Sequence, residues 1–299
     1  MTVTDPPRLE AGRSAFDGAG ALGALAPLLR DEPALTSTFG RVSATMAVPE
    51  PARAATIAAI ATLSERAPIV VATPTAQDCE RLASDLVSFL GHDAVETFPA
   101  WETLPFERVS PSVETMGRRL RTMWRLRTPG RSPRVVVASA RALVQRLGPH
   151  ADDVEPVVVR PGAVIDQERL VGGLVQAGYR REYQVEHRGE LAVRGSIVDV
   201  WPSTADGPIR IDLWGDEVDR LTSFSVNDQR SDTDVDQVEI FPCRELMLTD
   251  EVRERAAALE TSEPWGAETW ARLAGGETFD GMESWLPWLV AGGASGDGE

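Results

Sequence analysis

Arg180, Arg181, Arg188 and Arg194 crowd the stretch GYRREYQVEHRGELAVRGSIVDVWP, from Gly178 to Pro202. A guanidinium is planar and presents a fork of donors that meets a carboxylate with two hydrogen bonds. Such a cluster suits docking onto an acidic partner surface. The plain alternative is a set of solvated strand residues, or local pairing with Glu182, Glu186 or Glu190. Docking is the preferred reading for Arg181 and Arg194, ahead of Arg180 and Arg188. Trp201 and Trp214 could anchor an interface, because aromatic side chains dominate binding hot spots; core packing is the commoner use of Trp and is preferred for both. His187, between Glu186 and Arg188, has no Ser or Cys nucleophile to serve and reads as a surface residue. Glu186 and Glu190 could in principle form a glycosidase-like acid and base, but they sit in a charged run without supporting context.

Other chemistries are excluded by residue type. The chain has 299 residues and a net charge of −16, so on average it repels a phosphate backbone. All 30 basic residues are Arg. There is therefore no Schiff-base lysine and no phosphate-loop lysine. The turn Ala47-Val48-Pro49-Glu50-Pro51-Ala52-Arg53 stands where many α/β nucleotide hydrolases place a glycine-rich phosphate cradle. Two prolines remove N–H donors there and Glu50 adds the wrong charge, so no cofactor is expected for this stretch. Cys79 and Cys243 lack metal-ligand spacing, and three scattered His do not complete a site. Buried free thiols in a reducing cytoplasm are expected. No apolar run reaches the roughly 18 residues of a membrane span, and MTVTDPPRLEAGRS lacks the basic start and apolar core of a secretory signal.

The elements that must position these residues follow from periodicity. Residues 1–18 read as a loose lead-in. Ala21–Leu29 predicts a short helix, Arg41–Ala47 a strand and Ala52–Arg66 an Ala-rich helix. Pro68–Ala72, Ala94–Phe98 and Arg134–Ala138 are short apolar runs of the kind found in buried parallel strands. They alternate with helices predicted over Ala76–Leu90, Val113–Leu126 and Ala140–Leu147. The loop Pro99–Phe106, with Trp101 and Pro105, is expected to pack rather than stack on a base. Arg118, Arg119, Arg121 and Arg125 could face DNA phosphate, although a solvated helix face or an intramolecular surface is preferred. After His150 the pattern changes: a strand over Val154–Arg160, a helix over Asp166–Ala177, then an antiparallel sheet with strands Ile197–Trp201, Ile209–Trp214 and Val218–Ser223. Gly215-Asp216 supplies the hairpin turn. Val238–Pro242 reads as a strand and Asp250–Glu260 as a helix capped by Thr249 or Asp250. The Trp- and Gly-bearing tail ends in AGGASGDGE, which reads as an unstructured end. The fold class is α/β, a mostly parallel sheet domain with a small α+β domain that contains an antiparallel sheet.

FPAWETLPFERVSPSVETMGRRL (Phe98–Leu120) and the arginine-rich stretch with its continuation IRIDLWGDEVDRLTSFSVNDQRS (to Ser231) resemble the N-terminal part of the bacterial transcription-repair coupling factor (Mfd) family. The second stretch also resembles the domain by which UvrB binds UvrA. The resemblance covers roughly residues 20–290. It implies a first UvrB-like α/β domain whose nucleotide site is lost (19–150), an inserted UvrA-binding domain (151–232) and a return to the first domain (233–299). It implies no catalytic role for this stretch, and UvrA docking by Arg180, Arg181, Arg194 and Trp201. ATP and Mg belong to motor domains elsewhere in the longer family protein, as do RNA polymerase and double-stranded DNA as partners. Another domain of that protein is expected to cover the docking surface until polymerase is engaged.

Overall fold

The computed structural model describes residues 20–64, 66–104, 107–149 and 151–290. The expected lead-in over 1–18 and the tail 291–299 lie outside them, as do Pro105, Phe106 and His150. The chain divides into two compact units, residues 1–97 with 132–138, and residues 98–131 with 139–299.

The first unit is built on the apolar runs. Strands β1 (Ile69–Thr73), β2 (Val95–Phe98) and β3 (Val135–Ser139) form a parallel sheet in the order β1-β3-β2. Helix α1 is a single turn (Pro33–Thr36), followed by α2 (Arg53–Leu63) and α3 (Ala76–Leu90). Small side chains let α2 lie close: Ala54, Ala58 and Ala61 pack with Cys79, Ala83 and Leu86 of α3 and with Val95, Val135 and Val137. Helix α3 starts cleanly because Thr75 Oγ1 accepts from the Asp78 N–H at 3.1 Å and donates to the Asp78 carboxylate at 2.7 Å. Two expectations are corrected here. Ala21–Leu29 is not an α-helix; the chain turns and forms a 3-10 helix over Ala26–Asp31, because Pro27 supplies no N–H and Pro33 follows closely. Arg41–Ala47 is not a strand. Val42 is fully exposed, and a strand with no face to bury and no neighbour to pair with has nothing to hold it.

The second unit holds helix α4 (Val113–Arg127) and a short α5 (Ala140–Val144), then β4 (Val157–Val159) and α6 (Gln167–Gln176). A six-stranded sheet follows: β5 (Arg180–Arg181), β6 (Glu190–Arg194), β7 (Ile197–Val200), β8 (Ile209–Trp214), β9 (Glu217–Phe224) and β10 (Ser231–Asp234), in the order β10-β9-β8-β7-β6-β5. β5 runs parallel to β6 and every other pairing is antiparallel. One face packs Leu191, Val198, Val200, Ile211 and Leu221 against Leu170, Val171 and Leu174 of α6. Alternation alone would leave Asp199 on the open face in water. Instead it is buried, held by Arg210 at 2.7 and 2.9 Å, with the guanidinium over Phe224. The outermost strand β10 is exposed along its length.

A two-stranded antiparallel pair, β11 (Val238–Ile240) with β4, leads to the C-terminal helices α7 (Asp250–Ser262), α8 (Ala267–Ala274) and α9 (Leu286–Leu289). Thr249 caps α7 by accepting from the Val252 N–H. The Trp-bearing segment before residue 291 is packed. Trp270 is fully buried among Trp265, Trp285 and Trp288, and Leu246, Val252, Leu259, Leu273 and Met282 complete that core.

Both thiols are buried and neither forms a disulfide. Burial pushes the Cys243 thiol up to about 12, and Cys79 Sγ donates to the Val137 carbonyl at 3.3 Å. Neither is expected to react with a disulfide reagent at pH 8 until urea unfolds the chain, when both should; fast labelling of the native protein would contradict this burial.

Candidate functional site: an arginine-edged sheet end

The site begins where α6 stops. Gly178 adopts φ +91, which a residue with a Cβ rarely tolerates, and its missing side chain leaves room for Arg244. The next residue, Tyr179, turns inward. Its hydroxyl donates to the Phe241 carbonyl at 2.7 Å and accepts from the Ser203 N–H at 3.0 Å. This buried anchor delivers Arg180 and Arg181 to β5 at the sheet edge, where both are exposed.

The loop between β5 and β6 is organised by Glu190. One oxygen of its buried carboxylate accepts from the backbone N–H groups of Glu186 at 2.9 Å and His187 at 2.8 Å. The other lies 3.2 Å from Arg180 Nη2 and 3.4 Å from His187 Nδ1. Glu190 is thus a structural acceptor, with its lone pairs spent on its own loop. No acid and base pair with Glu186 is assembled.

Of the four arginines in the stretch, two are committed. Arg180 pairs with Glu190. Arg188 donates to the carbonyls of Ser203 and Ala205, lies 3.5 Å from Glu114 and covers the Trp201 ring. Arg181 and Arg194 are exposed and make no ion pair or hydrogen bond through their side chains among the described residues. The guanidinium of Arg194 sits 5.9 Å from the ring centroid of Tyr183. Arg181 and Arg194, preferred on sequence over Arg180 and Arg188, are therefore the two with no such partner among the described residues.

The two tryptophans part company. Trp201 is half-buried on Val185, Ala192 and Phe224, and its indole N–H donates to the Ala205 carbonyl at 3.2 Å. Trp214 is 83 % exposed at the end of β8, which corrects the expectation that it packs in the core. The reason is register: Trp214 shares the open face with Asp212 and stands next to the turn, Gly215 at φ +63 and Asp216, beyond the reach of the α6 layer. Tyr183, 90 % exposed, is a residue that sequence reasoning passed over. It lies past the end of β5, where no alternation marks its side.

Helix α4 does not present a solvated arginine face. Arg119 is fully buried and donates to Glu245 at 2.8 and 3.2 Å and to the Pro99 carbonyl at 2.9 Å. Arg118 lies 3.6 Å from Glu114, and Arg125 donates to the Arg131 carbonyl. At the turn before α2, Glu50 pairs with the Arg81 guanidinium at 2.8 Å, and Pro49 and Pro51 bring no N–H. Among the described residues no group of three or more His, Cys, Asp or Glu is placed to hold a metal ion, and no helix is long and apolar enough to cross a membrane.

Residues 157–246, from β4 through all strands of the large sheet to the segment after β11, match the UvrB interaction domain family. That segment is thus similar in class to a UvrB interaction domain. The relatives are transcription-repair-coupling factors, to which the chain is homologous over most of its length. That of Mycobacterium bovis is 40 % identical over 246 residues, 77 % of this chain and 20 % of the relative. Those of Escherichia coli and Bacillus subtilis are 32 % and 33 % identical over 190 residues, 62 % and 63 % of this chain and 16 % of each relative. The chain spans a fifth or less of the length of these relatives.

Proposed function

We propose that this chain is the UvrA-recruiting module of a transcription-coupled repair factor, without catalysis of its own. In this reading it grips UvrA through Arg181 and Arg194 at the sheet end, with Arg180 and Trp201 beside them, and so links stalled RNA polymerase to nucleotide excision repair in the cytoplasm. The observation that carries it is the pair of uncommitted arginines within a UvrB interaction domain. The residues from 19 to 150 act as a scaffold derived from the first UvrB domain, 151–232 as the inserted docking domain and 233–299 as the return. This stretch uses no cofactor; ATP, Mg and duplex DNA are handled by motor domains of a longer protein.

The test is an affinity measurement with purified UvrA, with and without ATP. Reversing both charges, Arg181→Glu with Arg194→Glu, is expected to weaken binding at least about tenfold and to flatten its salt dependence. The melting curve is expected to stay native, because both side chains are exposed and unpaired. Unchanged affinity in a folded variant removes these arginines from the site; no binding by the unmodified chain removes the function.

A further inference from the structure

The sheet end that carries Arg194 also carries an apolar feature with no role inside the unit. Directly opposed residues share a face, so Arg194, Ile197 and Asp212 form one cross-strand row on the open face. Trp214 lies two residues further along β8 on that same face, since Ile211 and Leu213 both point into the core on the other. Two strand spacings, about 10 Å, separate β6 from β8. Trp214 is opposed by Glu217, and Glu217 is bridged on its other side by Val164. Trp214 and Val164, 81 % exposed, thus flank Glu217 at the hairpin tip. Tyr183 lies at the opposite margin, against Arg194.

A tryptophan left in water on a rigid hairpin is already positioned, so seating it in a partner loses little conformational freedom. We propose that Trp214, with Val164, is the apolar anchor of the docking surface, and that it enters an apolar groove on the partner whose carboxylates lie toward Arg194. The charge layout sets that orientation. Asp216 and Glu217 surround the tip and would repel carboxylates there, while Arg194, on the same face as Trp214, attracts them at the other margin. The inference rests on the docking reading above and adds the residue that supplies contact area rather than charge.

The experiment compares three variants of the full chain against purified UvrA: Trp214→Ala, Trp214→Phe and the double arginine reversal. Trp214→Ala is expected to weaken binding at least about tenfold while keeping the salt dependence of the unmodified chain. Trp214→Phe should stay within about threefold of it, because a ring still fills the groove. The exposed position predicts no change of melting temperature beyond about 2 °C. An alanine variant that binds within twofold, while the arginine reversal still fails, overturns the anchor and leaves the docking reading standing. Absence of binding by the unmodified chain overturns both.

Discussion

Glu245→Ala is expected to destabilise the second unit by about 3–5 kcal/mol, because it strands a buried charge. The Glu245 carboxylate accepts from Arg119 Nε at 2.8 Å, Arg119 Nη2 at 3.2 Å, Trp101 Nε1 at 2.8 Å and the Gly148 N–H at 3.3 Å. Neither side chain of the ion pair touches water. Arg119 keeps one further acceptor, the Pro99 carbonyl, and its guanidinium lies 4.4 Å from the Phe98 ring centroid. Removing the carboxylate leaves a guanidinium with no anion and no route to solvent. With a urea slope of about 3 kcal/mol/M the unfolding midpoint should fall by roughly 1–1.7 M. Removing both charges, Arg119→Met with Glu245→Leu, should recover part of the loss, since no charge is then left buried, while the Trp101 and Gly148 N–H groups and the Pro99 carbonyl still lose their partners. A double variant no better than Glu245→Ala would show that packing, not the stranded charge, sets the effect.

Trp270→Ala is expected to lower stability by about 3–5 kcal/mol through the cavity it opens. Trp270 is fully buried, with ring centroids 4.8 Å from Trp285, 5.9 Å from Trp265 and 6.3 Å from Trp288. Its indole N–H donates to the Glu263 carbonyl at 3.2 Å. Close approach of the backbone depends on it as well: a Cβ on Gly266 would fall 2.6 Å from Trp270 Nε1. Near-ultraviolet circular dichroism should lose much of its tryptophan signal, because the remaining rings lose their fixed neighbour. A variant that keeps that signal and the urea midpoint would mean the other three rings close over the space.

Much of this architecture was legible in the chain. Apolar runs at residues 69–73, 95–98 and 135–139 gave parallel strands, of which β2 and β3 are buried while β1, at the sheet edge, leaves Val70 exposed, and period-two stretches with Gly215-Asp216 between them gave the hairpin of the large sheet. What was not legible is long-range pairing. Arg119 reads as one of several arginines on a helix, and only its meeting with Glu245, far along the chain, buries it. The fate of Trp214 depended on which side of β8 faces α6, and that is fixed by layers rather than by neighbours in sequence. The C-terminal Trp core was missed because Trp265, Trp270, Trp285 and Trp288 are spread over turns and short helices too brief to show a period. The two stretches that carry the family resemblance turn out to be packed on one another. A Cβ on Gly189 would lie 3.1 Å from the Val113 side chain, and the Arg188 guanidinium lies 3.5 Å from Glu114. Their long motifs thus record a helix, α4, pressed against the base of the six-stranded sheet.

The outermost strand β10 presents an open row of backbone donors and acceptors, the usual template for one chain to zip onto another. Here it carries Asp232 and Asp234, the latter drawn to Arg220, with Asp228 and Asp236 close by in the chain. A second copy laid antiparallel along it would crowd the Asp side chains of the two strands together. The acidic side chains therefore guard the unfinished border of the sheet, at the end of the strand order opposite Arg180 and Arg181.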